Sequence, residues 1–366
     1  MKDRVNDEKI SDFRELVNSN SSFVCNIYHN KDGKNYWNII CSCMDWLTVS
    51  IRYLQNAPEL DSNIDVRVMQ MFSLISSIDL VFESITQLHR VFIDAKTLPF
   101  AGEKECFSER LFDEDDNSYF KTIRASFGAH PVNLNHFTSK RFASWPFDSH
   151  TNSGELMVYL YSNQVNEEDL RMSLNSNELF TFLNKRYSYL DVISQAIKDL
   201  YNNFKDELVN QPIKYITSPL EQLYVLKNES VKRLDNDYYK GVINDLIMIF
   251  ETEQLAPEHE AMATDYKESL LPLINEIRTN LQTMNIVDLD NTDLLDSQSD
   301  IGDVLSYEIG KFYSWIYGDR CDPLLSYYLE RFNEVTNSKF NFSVNDSSNS
   351  LFVKLKLMIR YSNNRS

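Results

Sequence analysis

The sequence predicts a mainly α-helical protein. A helical bundle is expected in residues 1–145 and a second, mostly helical domain in residues 146–366, with a short β-hairpin near the junction. Three observations carry this. Only 8 glycines and 9 prolines occur in 366 residues, too few turn formers for a loop-rich all-β fold. Apolar residues recur at helical spacing through most of the chain, most clearly over residues 66–92. A hydrophobic content of 43% and an aromatic content of 13% suffice, at this length, for a large core and two domains.

Residues 1–34 are polar, with a short amphipathic start around Ile10–Val17. A helix over 36–54 repeats Trp37, Ile40, Cys41, Met44, Leu47, Ile51 and Leu54 on one side. The next helix, 66–92, carries Val68, Met71, Leu74, Ile75, Ile78, Val81, Phe82, Ile85, Leu88 and Phe92. These span an arc of roughly 160°, wide enough to face two neighbours in a bundle. Its other stripe is Ser76, Asp79, Glu83, Gln87 and Arg90. A connector over 93–118 ends in the acidic run Asp113–Asp116, and Asp116 or Asn117 reads as the N-cap of a helix over 118–129. Phe120, Ile123 and Phe127 give that helix an apolar face, and Pro131 disfavours helical geometry at His130, which ends it. Residues 141–145 and 155–161 read as two strands around a turn at 149–154. Helices are then expected over 177–208, 218–254 with a break near 234–237, 262–284, 301–317, 323–336 and 349–361. The segment 288–303 carries six aspartates but lacks the glycine and terminal glutamate of an EF-hand, so it reads as a solvated loop.

Charge narrows the function classes. The chain carries a formal −18. Residues 1–145 hold 16 Lys and Arg against 20 Asp and Glu, and residues 146–366 hold 20 against 34. The acidic second part should repel nucleic acid and anionic membranes. Yet no Asp or Glu occurs between Asp116 and Asp148, a window that contains Lys121, Arg124, His130, His136, Lys140 and Arg141. This window is expected to form the most positive surface and to admit an anion. Neither G-x-G-x-x-G nor G-x-x-x-x-G-K-[ST] occurs, which argues against kinases, P-loop NTPases and Rossmann dehydrogenases. The five cysteines are odd in number and scattered. Cys41 and Cys43, two apart, would point about 200° apart on a helix and could not chelate together. No metal site and no cofactor are expected. Without a secretory apolar region or a run of about 18 apolar residues, the chain reads as cytoplasmic, with no membrane contact.

Arg124 and His130, six positions apart near a helix end, are the candidate catalytic pair. A neutral histidine can take the proton from a ribose 2′-OH. An arginine can grip two phosphate oxygens and stabilise the charge added in the transition state. Together they suit metal-independent RNA cleavage, in which the 2′-OH distinguishes RNA from DNA. Ser126 and Asn133 lie near enough in sequence to hydrogen-bond the phosphate. His89, at another helix end, is a second candidate. The bland alternative pairs Arg124 with Asp79 or Glu83 as an ion pair and makes His130 a helix-terminal cap.

The stretch Tyr119–Pro131 resembles the HEPN superfamily of helical bacterial and archaeal proteins, whose signature is Arg-x4–6-His late in a bundle helix. The layout over residues 36–135, two long helices, a connector and a short helix with Arg and His, is similar to theirs. The resemblance implies a ribonuclease of a toxin–antitoxin or phage-defence system, acting as a homodimer that joins two Arg/His pairs in one cleft. It also implies an antitoxin or defence-system partner protein. Arg124 would contact the phosphate and His130 would be the other half of the motif. Active members usually carry a polar residue directly after the arginine, where this chain has Ala125. The resemblance therefore also admits a non-catalytic interaction or assembly protein. It does not extend to residues 146–366.

Overall fold

The computed structural model describes residues 5–129, 139–145, 155–233, 236–252, 255–295 and 304–361. It is mainly helical with one small antiparallel sheet. The chain divides into two compact units, Met1–Asn202 and Asn203–Ser366. The boundary thus lies well after residue 145, where the sequence changes character. What begins there is a sheet that belongs to the first unit.

The first unit opens with α1 (Glu8–Ser19), α2 (Ser21–Tyr28), α3 (Tyr36–Gln55) and α4 (Ile64–Phe92). The side chain of Asn35 caps α3 by accepting from the Asn38 N–H at 3.2 Å, and that of Asn63 caps α4 through the Asp65 N–H at 2.9 Å. The wide apolar arc of α4 is buried as expected, with Ile75, Ile78, Val81, Phe82 and Ile85 all at most 2% exposed. It faces α3 and also α6 (Ser176–Ser188). Phe182 of α6 stacks on Phe120 at 4.4 Å and meets Phe82 edge-on at 5.5 Å. By length and composition alone α4 could cross a membrane, although half of that stretch is buried in the protein.

The helix α5 (Asp116–Ile123) continues into a π-helical turn, Arg124–Ala129. Its cap is Asp115, one residue earlier than expected, which accepts from the Ser118 N–H at 2.8 Å. Asp116 is instead fully buried. Its carboxylate pairs with Arg110 at 2.6 Å and accepts the N–H groups of Glu105 and Cys106 at 3.0 Å. Burial pushes the Asp116 carboxyl up, but Arg110 and these N–H groups outweigh it and hold it below the usual range. The two neighbours should therefore behave differently. Asp115→Ala, which removes a cap, is expected to cost about 1 kcal/mol. Asp116→Ala removes the buried half of an ion pair and leaves the partly buried Arg110 and the N–H groups of Glu105 and Cys106 without their acceptor, which should cost about 3 kcal/mol. Urea unfolding of the two variants checks this, and equal losses would contradict the assignment of the cap.

The sheet has the order β1 (Arg141–Ser144), β2 (Glu155–Ser162), β3 (Leu170–Asn175), antiparallel throughout. The third strand is not among the expected elements. Its alternation is modest, with Met172 and Leu174 turned inward against Arg171 and Ser173. The stretch expected as one helix over 177–208 is two, α6 and α7 (Leu190–Val209), separated at Tyr189. The unit boundary falls within α7.

The second unit comprises the remaining helices: α8 (Pro219–Arg233), α9 (Asp237–Glu251), α10 (Pro257–Ser269), α11 (Leu271–Thr283), a 3-10 turn (Thr292–Leu294), α12 (Ser306–Tyr317), α13 (Leu325–Val335) and α14 (Ser348–Tyr361). The break expected near 234–237 separates α8 from α9. The helix expected over 262–284 is two, because Pro272 in the first turn of α11 cannot continue a preceding helix. Of the acidic segment 288–303, residues 296–303 lie outside the described residues, as does the turn at 149–154. Leu351–Met358 of α14 are all buried, which makes it the central helix of this unit. Of the two lysines it buries, Lys354 donates to the Asn341 carbonyl and to Asp346, both at 2.7 Å, and Lys356 lies over the Phe352 ring, 5.1 Å from its centre.

Candidate functional site

Three elements of the first unit meet around Arg124. The helix α4 supplies Asp79 and Glu83, one turn apart. The helix α5 supplies Ser118, Lys121 and Thr122, and the π-helical turn supplies Arg124 and Ala125. With Glu114 they line an open groove of about 510 Å³. The i→i+5 bonding of a π turn inserts one residue, which rotates the downstream residues by roughly 100° relative to a continuing α-helix. Such turns recur at functional sites.

Arg124 donates its Nε–H to Asp79 Oδ2 at 3.0 Å. The arginine side chain is 45% exposed and the aspartate 15%. One helical turn away Lys121 Nζ lies 4.0 Å from Glu83 Oε1 and 5.6 Å from the centre of the Phe82 ring. The two acids of α4 thus face the two cations of the α5 segment rung by rung. Thr122 donates its hydroxyl to Glu114 at 3.0 Å.

The acid-free window of sequence is therefore not an acid-free surface. Three carboxylates and two cations line the groove among the described residues, because α4 and the connector bring in Asp79, Glu83 and Glu114. Arg141, expected on the positive surface, is buried. It donates to the carbonyls of Leu160 and Glu168 at 3.0 Å and pairs with Glu167 at 2.9 Å.

Burial pushes the Asp79 carboxyl above the usual range, Arg124 opposes this, and Glu83 adds to it. A carboxyl whose folded pKa exceeds its unfolded value binds more protons when folded, so its contribution to stability falls as pH rises between the two values. Asp79→Asn removes that slope. The variant should be at least as stable as wild type at neutral pH, and its advantage should shrink as pH falls from the raised folded value toward the ordinary aspartate value. Thermal unfolding across about pH 3–7 measures this. A variant less stable at neutral pH than in acid, relative to wild type, would refute it.

Of the candidate residues, Arg124, Asp79 and Glu83 come together. Ser126 is buried and does not line the groove. His130, Asn133 and His136 lie outside the described residues. His89 is a structural residue, 5% exposed, bonded through Nδ1 to the Tyr189 hydroxyl and through Nε2 to Thr97, both at 3.0 Å. Burial pushes its pKa down. Glu114, Ser118 and Thr122 are site residues that the sequence did not single out. The spacing 118, 121, 122, 125 is one helical face, a signal that could have grouped Ser118 and Thr122 with Lys121, whereas Glu114 precedes the helix in the connector and carries no such signal. Among the described residues no cluster of three or more His, Cys, Asp or Glu could hold a metal ion. The Cys43 and Cys106 thiols are pushed up to about 11 by burial, far from the thiolate of a reactive cysteine. No family model, curated protein or solved structure matches the chain.

Proposed function

We propose that the chain is a metal-independent endoribonuclease of the toxin–antitoxin or phage-defence kind, with Arg124 and His130 acting on an RNA phosphodiester in a homodimer. The observation that carries this reading is the state of Arg124. It is half-exposed on an open groove and held through Nε, and among the described residues no partner takes its Nη groups. An arginine so held keeps the planar edge that grips two phosphate oxygens. His130, six residues on, would take the 2′-OH proton, and the 2′-oxygen would attack phosphorus and expel the 5′-oxygen, which takes a proton from solvent water as it leaves, while the histidine returns its proton to solvent. The product would be a 2′,3′-cyclic phosphate.

A second reading, a non-catalytic helical interaction protein with a degenerate HEPN-like bundle, is favoured by the groove's excess of carboxylates and by Ala125 after the arginine. End-group analysis separates the two. Total RNA and tRNA are incubated with the purified protein in a metal chelator, and the new termini are examined. Cyclic phosphate ends are expected. Intact RNA beside a well-folded dimer would select the interaction protein.

A further inference from the structure

We infer that Asp79 is the positioning residue of Arg124, holding the guanidinium by its Nε so that the two Nη groups face the groove. This rests on the reading of Arg124 as a phosphate-contacting residue and assigns the group that would aim it. The two partners are unequally placed. Arg124 is 45% exposed and Asp79 only 15%. A half-exposed ion pair contributes little to stability, since solvent screens it and two side chains must be ordered to make it. The carboxyl itself is disfavoured by its burial. The pair is thus poorly explained as a stabilising device. As an orienting device it makes sense, because a long side chain on a surface helix otherwise samples many rotamers.

The geometry fits that role. The contact is side-on, from Nε to one carboxylate oxygen at 3.0 Å. It leaves the Nη edge for a ligand, as a planar fork requires. Asp79 stands on α4, whose core face is fully packed, so the acceptor is fixed to a rigid element. Arg124 opens the π turn, where backbone register changes and a side chain most needs an external reference. Glu83 stands in a looser relation to Lys121, at 4.0 Å, so the clamp is specific to the arginine.

The test uses Asp79→Ala and Asp79→Glu in the full chain. Alanine is favourable in a helix, so α4 should persist. The first readout needs no RNA. With 15N-arginine labelling, and with the Arg124 signal assigned by its loss in Arg124→Lys, hydrogen exchange of the Nε–H is measured. Exchange should be at least about 10-fold faster in Asp79→Ala and return toward wild type in Asp79→Glu. Equal exchange in wild type and Asp79→Ala would overturn the inference. The second readout is RNA cleavage. Asp79→Ala should lower kcat by about 10–100-fold with KM little changed, as misplacement of a catalytic group does. Asp79→Glu should recover part of it. A purely structural role would lower thermal stability and leave kcat unchanged, which would also overturn the inference. If wild type cuts no RNA, the ribonuclease reading fails, while the exchange measurement still decides whether Asp79 aims Arg124.

Discussion

Arg186→Ala should destabilise the first unit by about 3–5 kcal/mol. Arg186 is fully buried on α6, with its guanidinium 3.8 Å from the centre of the Phe182 ring and 4.9 Å from that of Phe100. Its Nη2 donates to the Asn117 side chain at 2.8 Å and its Nη1 to the Cys106 sulfur at 3.3 Å. Alanine would leave a large void between α5, α6 and the connector. It would also strand the Asn117 carbonyl, a penalty of about 1–3 kcal/mol in itself. Burial already pushes the Arg186 pKa down, and among the described residues its Nε has no hydrogen-bond partner. The charge is therefore held at some cost, so Arg186→Met, which fills the space without it, should recover part of the loss. Trp37, Trp46 and Trp145 all lie in the first unit, so urea unfolding followed by fluorescence in a Trp315→Phe background reports on that unit. An alanine variant within about 1 kcal/mol of wild type would mean that this buried network is not what joins α6 to α5.

The second large effect concerns catalysis. Arg124→Lys is expected to lower kcat for RNA cleavage by about 100-fold or more. Lysine keeps the charge but loses the planar fork, and it lacks an Nε–H for Asp79 to hold. His130→Ala should cost about 10²–10⁴-fold, the usual contribution of general acid–base catalysis. Arg124 is half-exposed, so its variant should fold normally and show an unchanged unfolding midpoint. On the proposed mechanism the two residues act as one unit, so the two losses should not multiply in the double variant. Full additivity would place them in separate steps.

Much of the fold is legible in the sequence, and the departures have identifiable physical causes. The helix α4 is legible to within two residues because its apolar arc is long, wide and regular. The separation of α6 from α7 at Tyr189 is not, because no glycine or proline marks it. There Tyr189 meets His89, a contact across the chain that local pattern cannot reveal. The split between α10 and α11 does carry a signal in Pro272, which the strong apolar periodicity of 262–284 overrides. Asp115 and Asp116 are both plausible caps by residue type, and burial of one beside Arg110 decides between them. In the groove, residue type and spacing suffice to suggest Asp79 as an ion-pair partner of Arg124. The overall charge of the groove is not legible. A linear run free of acids says nothing about acids delivered by a neighbouring helix, and α4 delivers two.

Arg124-dependent RNA cleavage is measured most directly on a single purified tRNA in a metal chelator under single-turnover conditions, with wild type and Arg124→Lys prepared side by side. Wild type is expected to yield fragments ending in 2′,3′-cyclic phosphate, and the lysine variant to do so about 100-fold more slowly. Equal rates in the two proteins, or intact tRNA with wild type, would contradict a ribonuclease that acts through Arg124.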